Sequence, residues 1–120
     1  MLDIEERALG GAPEFVLQGE LNFETAPALR EPLLKHVASR QMNVVINMSE
    51  LRFMDTCGLA TLIEMRMKAS QYGGRVILLG LGPLVAQVFE IARVKQFFVI
   101  VQDEQEALSA MSAPADAQAD

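Results

Sequence analysis

The sequence is short of the residues that most often carry chemistry. Among 120 residues there is one cysteine, Cys57, and one histidine, His36. A single cysteine excludes an internal disulfide and fits a reducing compartment. One His and one Cys are too few converging ligands for a zinc site, and no acidic cluster has the spacing of a calcium loop. No metal or other cofactor is therefore expected. Basic residues are also scarce: 10 Lys and Arg stand against 16 Asp and Glu, a formal net charge of −6. A nucleic-acid binder would need a basic face to neutralise phosphates, so no direct nucleic-acid contact is expected. An anionic bilayer surface would repel the chain for the same reason. No uncharged apolar run approaches the roughly 18 residues of a spanning helix. The opening MLDIEERALG lacks the basic and apolar regions of a signal peptide. The expectation is a cytoplasmic protein without membrane insertion.

What the chain does have is the makeup of one globular domain: 51% hydrophobic and 22% charged residues. Asp3–Leu9 and Glu14–Gln18 flank Gly10-Gly11-Ala12-Pro13 and read as a hairpin. Thr25 can cap a helix that has Pro27 in its first turn. Pro32 should bend or restart that helix, although Leu29, Leu33, Leu34, Val37 and Ala38 keep a helical period through it. Val44-Val45-Ile46, within Asn43–Met48, is a β-branched central strand, and Ser49–Asp55 reads as a connection. From Cys57 to about Tyr72, Thr61, Glu64, Lys68 and Gln71 form a polar helical stripe. Leu59, Leu62, Ile63 and Met67 lie opposite, with Arg66 intruding among them. Gly73-Gly74 stops the helix.

Arg75–Leu81 is a further buried strand. Pro83 opens a helix to Ala92, Phe97–Val101 is the last strand, and Asp103–Met111 the last helix. The order β-β-α-β-α-β-α-β-α, with right-handed crossovers, makes the later strands parallel, and the hairpin adds an antiparallel edge. The chain reads as one α/β domain over residues 1–111, with a disordered tail over 112–120.

The stretch Arg52-Phe53-Met54-Asp55-Thr56-Cys57-Gly58-Leu59 holds the most chemistry. Cys57 or Thr56 could be a nucleophile at a helix N-terminus, where a thiolate gains from the dipole. The base would have to be His36, which reads as a partly exposed helix residue, and Cys57 reads better as a small, semi-buried one. No enzyme is expected. Gly80-Leu81-Gly82, followed by Pro83, lacks the lysine and third glycine of phosphate-binding loops. Asp55 and Thr56 are both capping types. Thr56 can also be a hydroxyl offered for phosphorylation, since a phosphoryl group there would meet free amides and the positive end of the helix dipole. It would add about −1.5 to −2 charge beside Asp55 and could repel a partner docked on the unmodified face.

Phe53-Met54-Asp55-Thr56-Cys57-Gly58-Leu59 resembles the F-M-D-[ST]-x-G-[LVI] motif of bacterial anti-sigma factor antagonists, the STAS domain family. Gly19-Glu20-Leu21-Asn22 with Thr25-Ala26 is similar to the family's G-E-[LI]-D-x-x-[TS]-[AV] segment. Val44–Met48 and Tyr72–Val76 fall in the family's places, and the resemblance covers roughly residues 3 to 110. It implies a small mixed β-sheet packed against about four helices.

It also implies partner switching. The unphosphorylated antagonist binds an anti-sigma factor that is a serine/threonine kinase, and so frees a sigma factor. Phosphorylation breaks the complex and a phosphatase restores it. By position the phosphoacceptor is Thr56, supported by Asp55 and Gly58. The expected docking surface gathers Leu21, Asn22, Phe23, Met54, Asp55 and Thr56. Leu21, Phe23, Met54 and Met65, the last near the boundary of its helix face, are each open to core packing as well, which is the better reading of Leu21. Asn22 stands where the family usually has Asp, and Thr56 where Ser is commoner. Cys57 stands where a second Ser or Thr is common. A weak homodimer is allowed for. The alternative is a non-switching STAS subunit of a phospholipid-transport ABC ATPase complex.

Overall fold

The computed structural model describes residues 1–112. The tail expected from Ser112 onward therefore lies, from residue 113, outside the described residues. Five strands and four helices follow one another: β1 (Leu2–Leu9), β2 (Ala12–Leu21), α1 (Ala26–Ala38), β3 (Asn43–Met54), α2 (Thr56–Ser70), β4 (Arg75–Leu79), α3 (Pro83–Ala92), β5 (Val99–Val101) and α4 (Glu104–Met111). A 3-10 turn, Lys95–Phe97, precedes β5. The sheet order is β1-β2-β3-β4-β5. Only the β1–β2 pair is antiparallel; the rest are parallel, as the alternation of strands and helices requires.

Alternation along the strands sorts the core into two layers. Phe15, Leu17, Val44, Ile46, Met48, Val76 and Leu78 face α1, α2 and α3. Val45, Ile77, Leu79 and Val101 face the other way and pack with Ala107 of α4. Helices on both faces explain why β3 and β4 read as unbroken apolar runs. Each fully buried Leu or Phe contributes about 1.5–3 kcal/mol.

Several boundaries differ from expectation. Helix α1 runs through Pro32 without a break in its assignment. Proline there removes one intrahelical donor, and burial of Leu29, Leu33 and Val37 around it offsets the loss. Strand β4 stops at Leu79, and β5 starts only at Val99 because the 3-10 turn takes up Phe97. On α2 two assignments exchange. Thr61 is buried, its hydroxyl donating to the Cys57 carbonyl at 3.2 Å, whereas Met67 faces out. Met65 is core.

The largest difference is in β3. The segment Ser49–Met54 is strand, not connection. It pairs with the end of β2 through two register shifts, between Val16 and Gln18 and between Gly19 and Glu20. At each shift β3 carries one residue more than β2, as a bulge does. Beyond Asn47, β3 has no partner in β4, so β2 and β3 run on together as a two-stranded ribbon. That ribbon carries the candidate site.

Under α4 lies a carboxyl group that the sequence reading did not single out. Glu14 is buried; its Oε2 accepts from Asn47 Nδ2 at 3.1 Å, and Arg7 Nε stands 3.5 Å from Oε1. Burial pushes the Glu14 pKa up, and nearby Glu104 adds to the rise, while Asn47 and Arg7 oppose it. A carboxyl raised on folding binds more protons in the native state. Its stabilising contribution is full below the ordinary carboxylate range and is lost as pH rises through the raised value. Glu14→Gln is expected to remove that loss. Urea midpoints of wild type and variant from pH 4 to 7 should converge or cross as pH rises; a constant offset would contradict this.

Candidate functional site

Leu21 pairs with Met54 at the C-terminal end of the ribbon. The two segments that follow, Asn22–Thr25 into α1 and Asp55–Thr56 into α2, therefore emerge side by side. The Asp55 N–H donates to the Leu21 carbonyl at 3.1 Å and starts their joining.

The Asp55 carboxylate completes it. Oδ1 accepts from the Gly58 N–H at 3.0 Å, which caps α2, and Oδ2 accepts from the Phe23 N–H at 3.1 Å. The expected cap is thus also a cross-link between two loops 32 positions apart in the chain. Asp55→Ala is expected to cost about 1–2 kcal/mol in urea unfolding, the usual cap loss with an orphaned amide added. Asp55→Asn should cost less, because its amide oxygen still caps α2 while its NH2 cannot accept from Phe23. Equal losses for the two variants would argue against a two-sided role.

Asn22 organises the other loop. Its Oδ1 accepts from the amides of Glu24 at 3.0 Å and Thr25 at 3.1 Å. Its own N–H donates to Thr25 Oγ1 at 2.8 Å. These bonds need an acceptor oxygen rather than a charge, and Asn supplies one as Asp would. Thr25 does not cap α1 by its side chain. Its hydroxyl turns back to the Glu20 carbonyl at 2.9 Å, so the expected cap is a loop brace.

Thr56 is exposed at the first position of α2. Among the described residues its hydroxyl has no hydrogen-bond partner. Helix geometry leaves the amides of Thr56, Cys57 and Gly58 without intrahelical acceptors, and Asp55 satisfies only that of Gly58. The remaining two stand at the positive end of the helix dipole. Cys57 is exposed rather than semi-buried. Its candidate base is engaged elsewhere: His36 Nε2 lies 2.7 Å from Glu6 Oε2, and the ring packs edge-on against Phe15.

The expected docking residues divide. Phe23 is 68% exposed, and Asn22 and Asp55 are half-buried at the surface. Leu21 and Met54 are 0% and 1% exposed and belong to the core, a correction to their placement on the docking surface. They form the floor on which α2 starts. Gly58 is pressed against that floor, for a Cβ there would lie 2.8 Å from Leu21 Cγ and 2.9 Å from the Leu21 carbonyl oxygen. The close approach that requires glycine is therefore to the protein's own core. The sequence reading missed Phe53, which the bulged ribbon turns outward beside the site. Its only sequence signal was its place in the motif. Among the described residues no group of His, Cys, Asp and Glu could hold a metal, and no helix is long and apolar enough to cross a membrane.

Two adjacent parallel strands thus deliver a braced loop and a capped helix start, with a free hydroxyl between them. This arrangement belongs to a class of small α/β domains with an exposed hydroxyl residue at a helix N-terminus. The chain belongs to the STAS domain family, whose model matches residues 3–107. It is 26% identical over 94 residues to the anti-sigma F factor antagonist of Paenibacillus polymyxa, covering 78% of this chain and 80% of that one. The crystal structure of an anti-sigma factor antagonist from Mycobacterium paratuberculosis superimposes with a TM-score of 0.85 at 22% identity, covering 94% and 96% of the two chains. The Bacillus cell fate determinant SpoIIAA in its phosphorylated form gives a TM-score of 0.70 at 21% identity, covering 92% and 98%.

Proposed function

We propose that this chain is a cytoplasmic anti-sigma factor antagonist that binds an anti-sigma factor kinase while unmodified and releases it when Thr56 is phosphorylated. The observation that carries the reading is the Thr56 hydroxyl, exposed at the first position of α2 and without a hydrogen-bond partner among the described residues. Asp55 spends both carboxylate oxygens on backbone amides, so its role is to hold the site's geometry. The partner kinase supplies the base and the phosphoryl donor. Phe23 and Phe53 offer apolar contact on either side, and a phosphatase reverses the modification. The family membership and the phosphorylated state of SpoIIAA support this reading.

A phosphoryl group on Thr56 would add about −1.5 to −2 charge where docking requires desolvation. Incubation with the anti-sigma factor and ATP, followed by peptide mass spectrometry, should place one phosphate on Thr56 and none on Thr56→Ala. Phosphate on another residue, or none with a folded and binding partner, would overturn the assignment. Phe23→Ala is expected to weaken binding about 10-fold or more while leaving the urea midpoint unchanged, because the ring is solvent-exposed. Unchanged affinity would remove Phe23 from the docking surface.

A further inference from the structure

Helix α2 leaves a stripe open along its length. Thr56, Ala60, Ile63 and Met67 recur at helical spacing and are exposed or half-exposed. Met67, at the far end, is 58% exposed. There the stripe enters a cleft of about 270 Å³ between α2 and the 3-10 turn, lined by Ile63, Arg66, Met67, Val94, Phe97 and Phe98. Arg66 holds one wall in place. Its Nε donates to the Phe97 carbonyl at 2.8 Å, and its guanidinium lies 5.6 Å from the centroid of the Phe97 ring.

The charge around this cleft is opposite to that of the whole chain. Arg66 lines it, and Arg93 and Lys95 flank Val94 of its wall, against Glu90, within a chain of net charge −6. Glu64 and Lys68 lie on the α1 side of α2, where Arg30 holds Glu64 by a two-point bond, and Glu90 faces Lys95 at 3.7 Å. Arg93 is exposed and has no ion-pair partner among the described residues. It also occupies the left-handed conformation that ends α3, φ 59°, a position that favours glycine.

We infer that this cleft is a second docking point for the partner of the Thr56 face. It seats one large apolar side chain from an acidic segment of the anti-sigma factor, whose carboxylates meet Arg66 and Arg93. Two features select this occupant. The open stripe of α2 joins the cleft to the Thr56 surface, and the local basic rim complements an acidic segment. An anionic bilayer would meet the same rim but also the acidic remainder of the molecule.

The inference rests on the proposed function, and its test separates the two. The purified anti-sigma factor is titrated calorimetrically with wild type, Met67→Asp, Arg93→Glu and Thr56→Glu at low and high salt. Met67→Asp should weaken binding about 10-fold or more at both salts, because it places a charge on the apolar seat. Arg93→Glu should weaken it several-fold at low salt, about 3–10-fold, and less at high salt. Both residues are exposed, and unchanged thermal midpoints confirm that the variants fold. Wild-type affinity in both cleft variants, with loss in Thr56→Glu, overturns the cleft and leaves the Thr56 reading standing. Loss in the cleft variants with none in Thr56→Glu supports the cleft and removes the switch. No binding by wild type removes both. Sedimentation with phosphatidylglycerol vesicles that depends on Met67, with anti-sigma affinity unchanged, also overturns the cleft assignment.

Discussion

Gly58→Val should leave the chain unable to fold, and Gly58→Ala should lower its stability by about 1–3 kcal/mol, the usual cost of an overpacked core site. The first added carbon would meet Leu21 Cγ at 2.8 Å, the Leu21 carbonyl oxygen at 2.9 Å and Met54 Cγ at 2.9 Å. The carbonyl cannot rotate away, because it accepts the Asp55 amide that joins the two loops. Leu21 and Met54 are fully buried and have no solvent to retreat into. An ordinary mid-helix Gly→Ala change is favourable by about 1 kcal/mol, so the sign itself is diagnostic. Valine adds two further methyl groups to the same clash. Several such overlaps consume a large part of the roughly 5–15 kcal/mol that holds a domain together. Urea unfolding of Gly58→Ala checks the first claim, and the amide spectrum of Gly58→Val checks the second. A raised midpoint for the alanine variant would mean that α2 does not rest on the Leu21–Met54 floor.

Thr56→Glu should abolish binding to the anti-sigma factor, by about 100-fold or more, without harming the fold. The two effects have opposite signs for one physical reason. Glutamate at the first position of α2 sits well with the helix dipole, so stability should hold or rise by about 0.3–1 kcal/mol. The same charge must be desolvated when the docking surface is buried on binding. Thr56→Ala removes the acceptor without adding charge and should bind within about twofold of wild type, because the hydroxyl makes no hydrogen bond among the described residues that the change would break. A non-switching transport subunit would bind its partner equally in all three forms. Affinity and urea midpoint measured on the same preparations separate lost recognition from lost structure.

The sequence exposes its core readily and its site only in part. Val44–Ile46 and Val76–Leu79 could be read as buried strands because helices cover both faces of the sheet, leaving no polar alternation to confuse. The Asp55 cap could be read from residue type and position alone. The end of β3 could not. After Met48 its buried residues are Leu51 and Met54, a spacing of three, because each bulge inserts an extra residue. A strand with that spacing resembles a polar connection, and its last residues then read as surface. Once the strand is extended, Leu21 and Met54 turn inward as a pair and Phe53 turns out. Thr61 and Met67 exchanged roles for similarly local reasons. A threonine hydroxyl can satisfy itself on the carbonyl four residues back and be buried, and Met67 borders the cleft beside Phe97. The second acceptor of Asp55, the Phe23 amide, had no sequence signal, since it depends on which strands become neighbours.

The central claim is that one hydroxyl, Thr56, sets whether the partner is held. The most direct test is a calorimetric titration of the anti-sigma factor with this chain before and after stoichiometric phosphorylation of Thr56. The account predicts tight one-to-one binding before modification and an affinity at least about 100-fold weaker afterwards, as the added charge of −1.5 to −2 must be desolvated. Equal affinity for the two forms would contradict it.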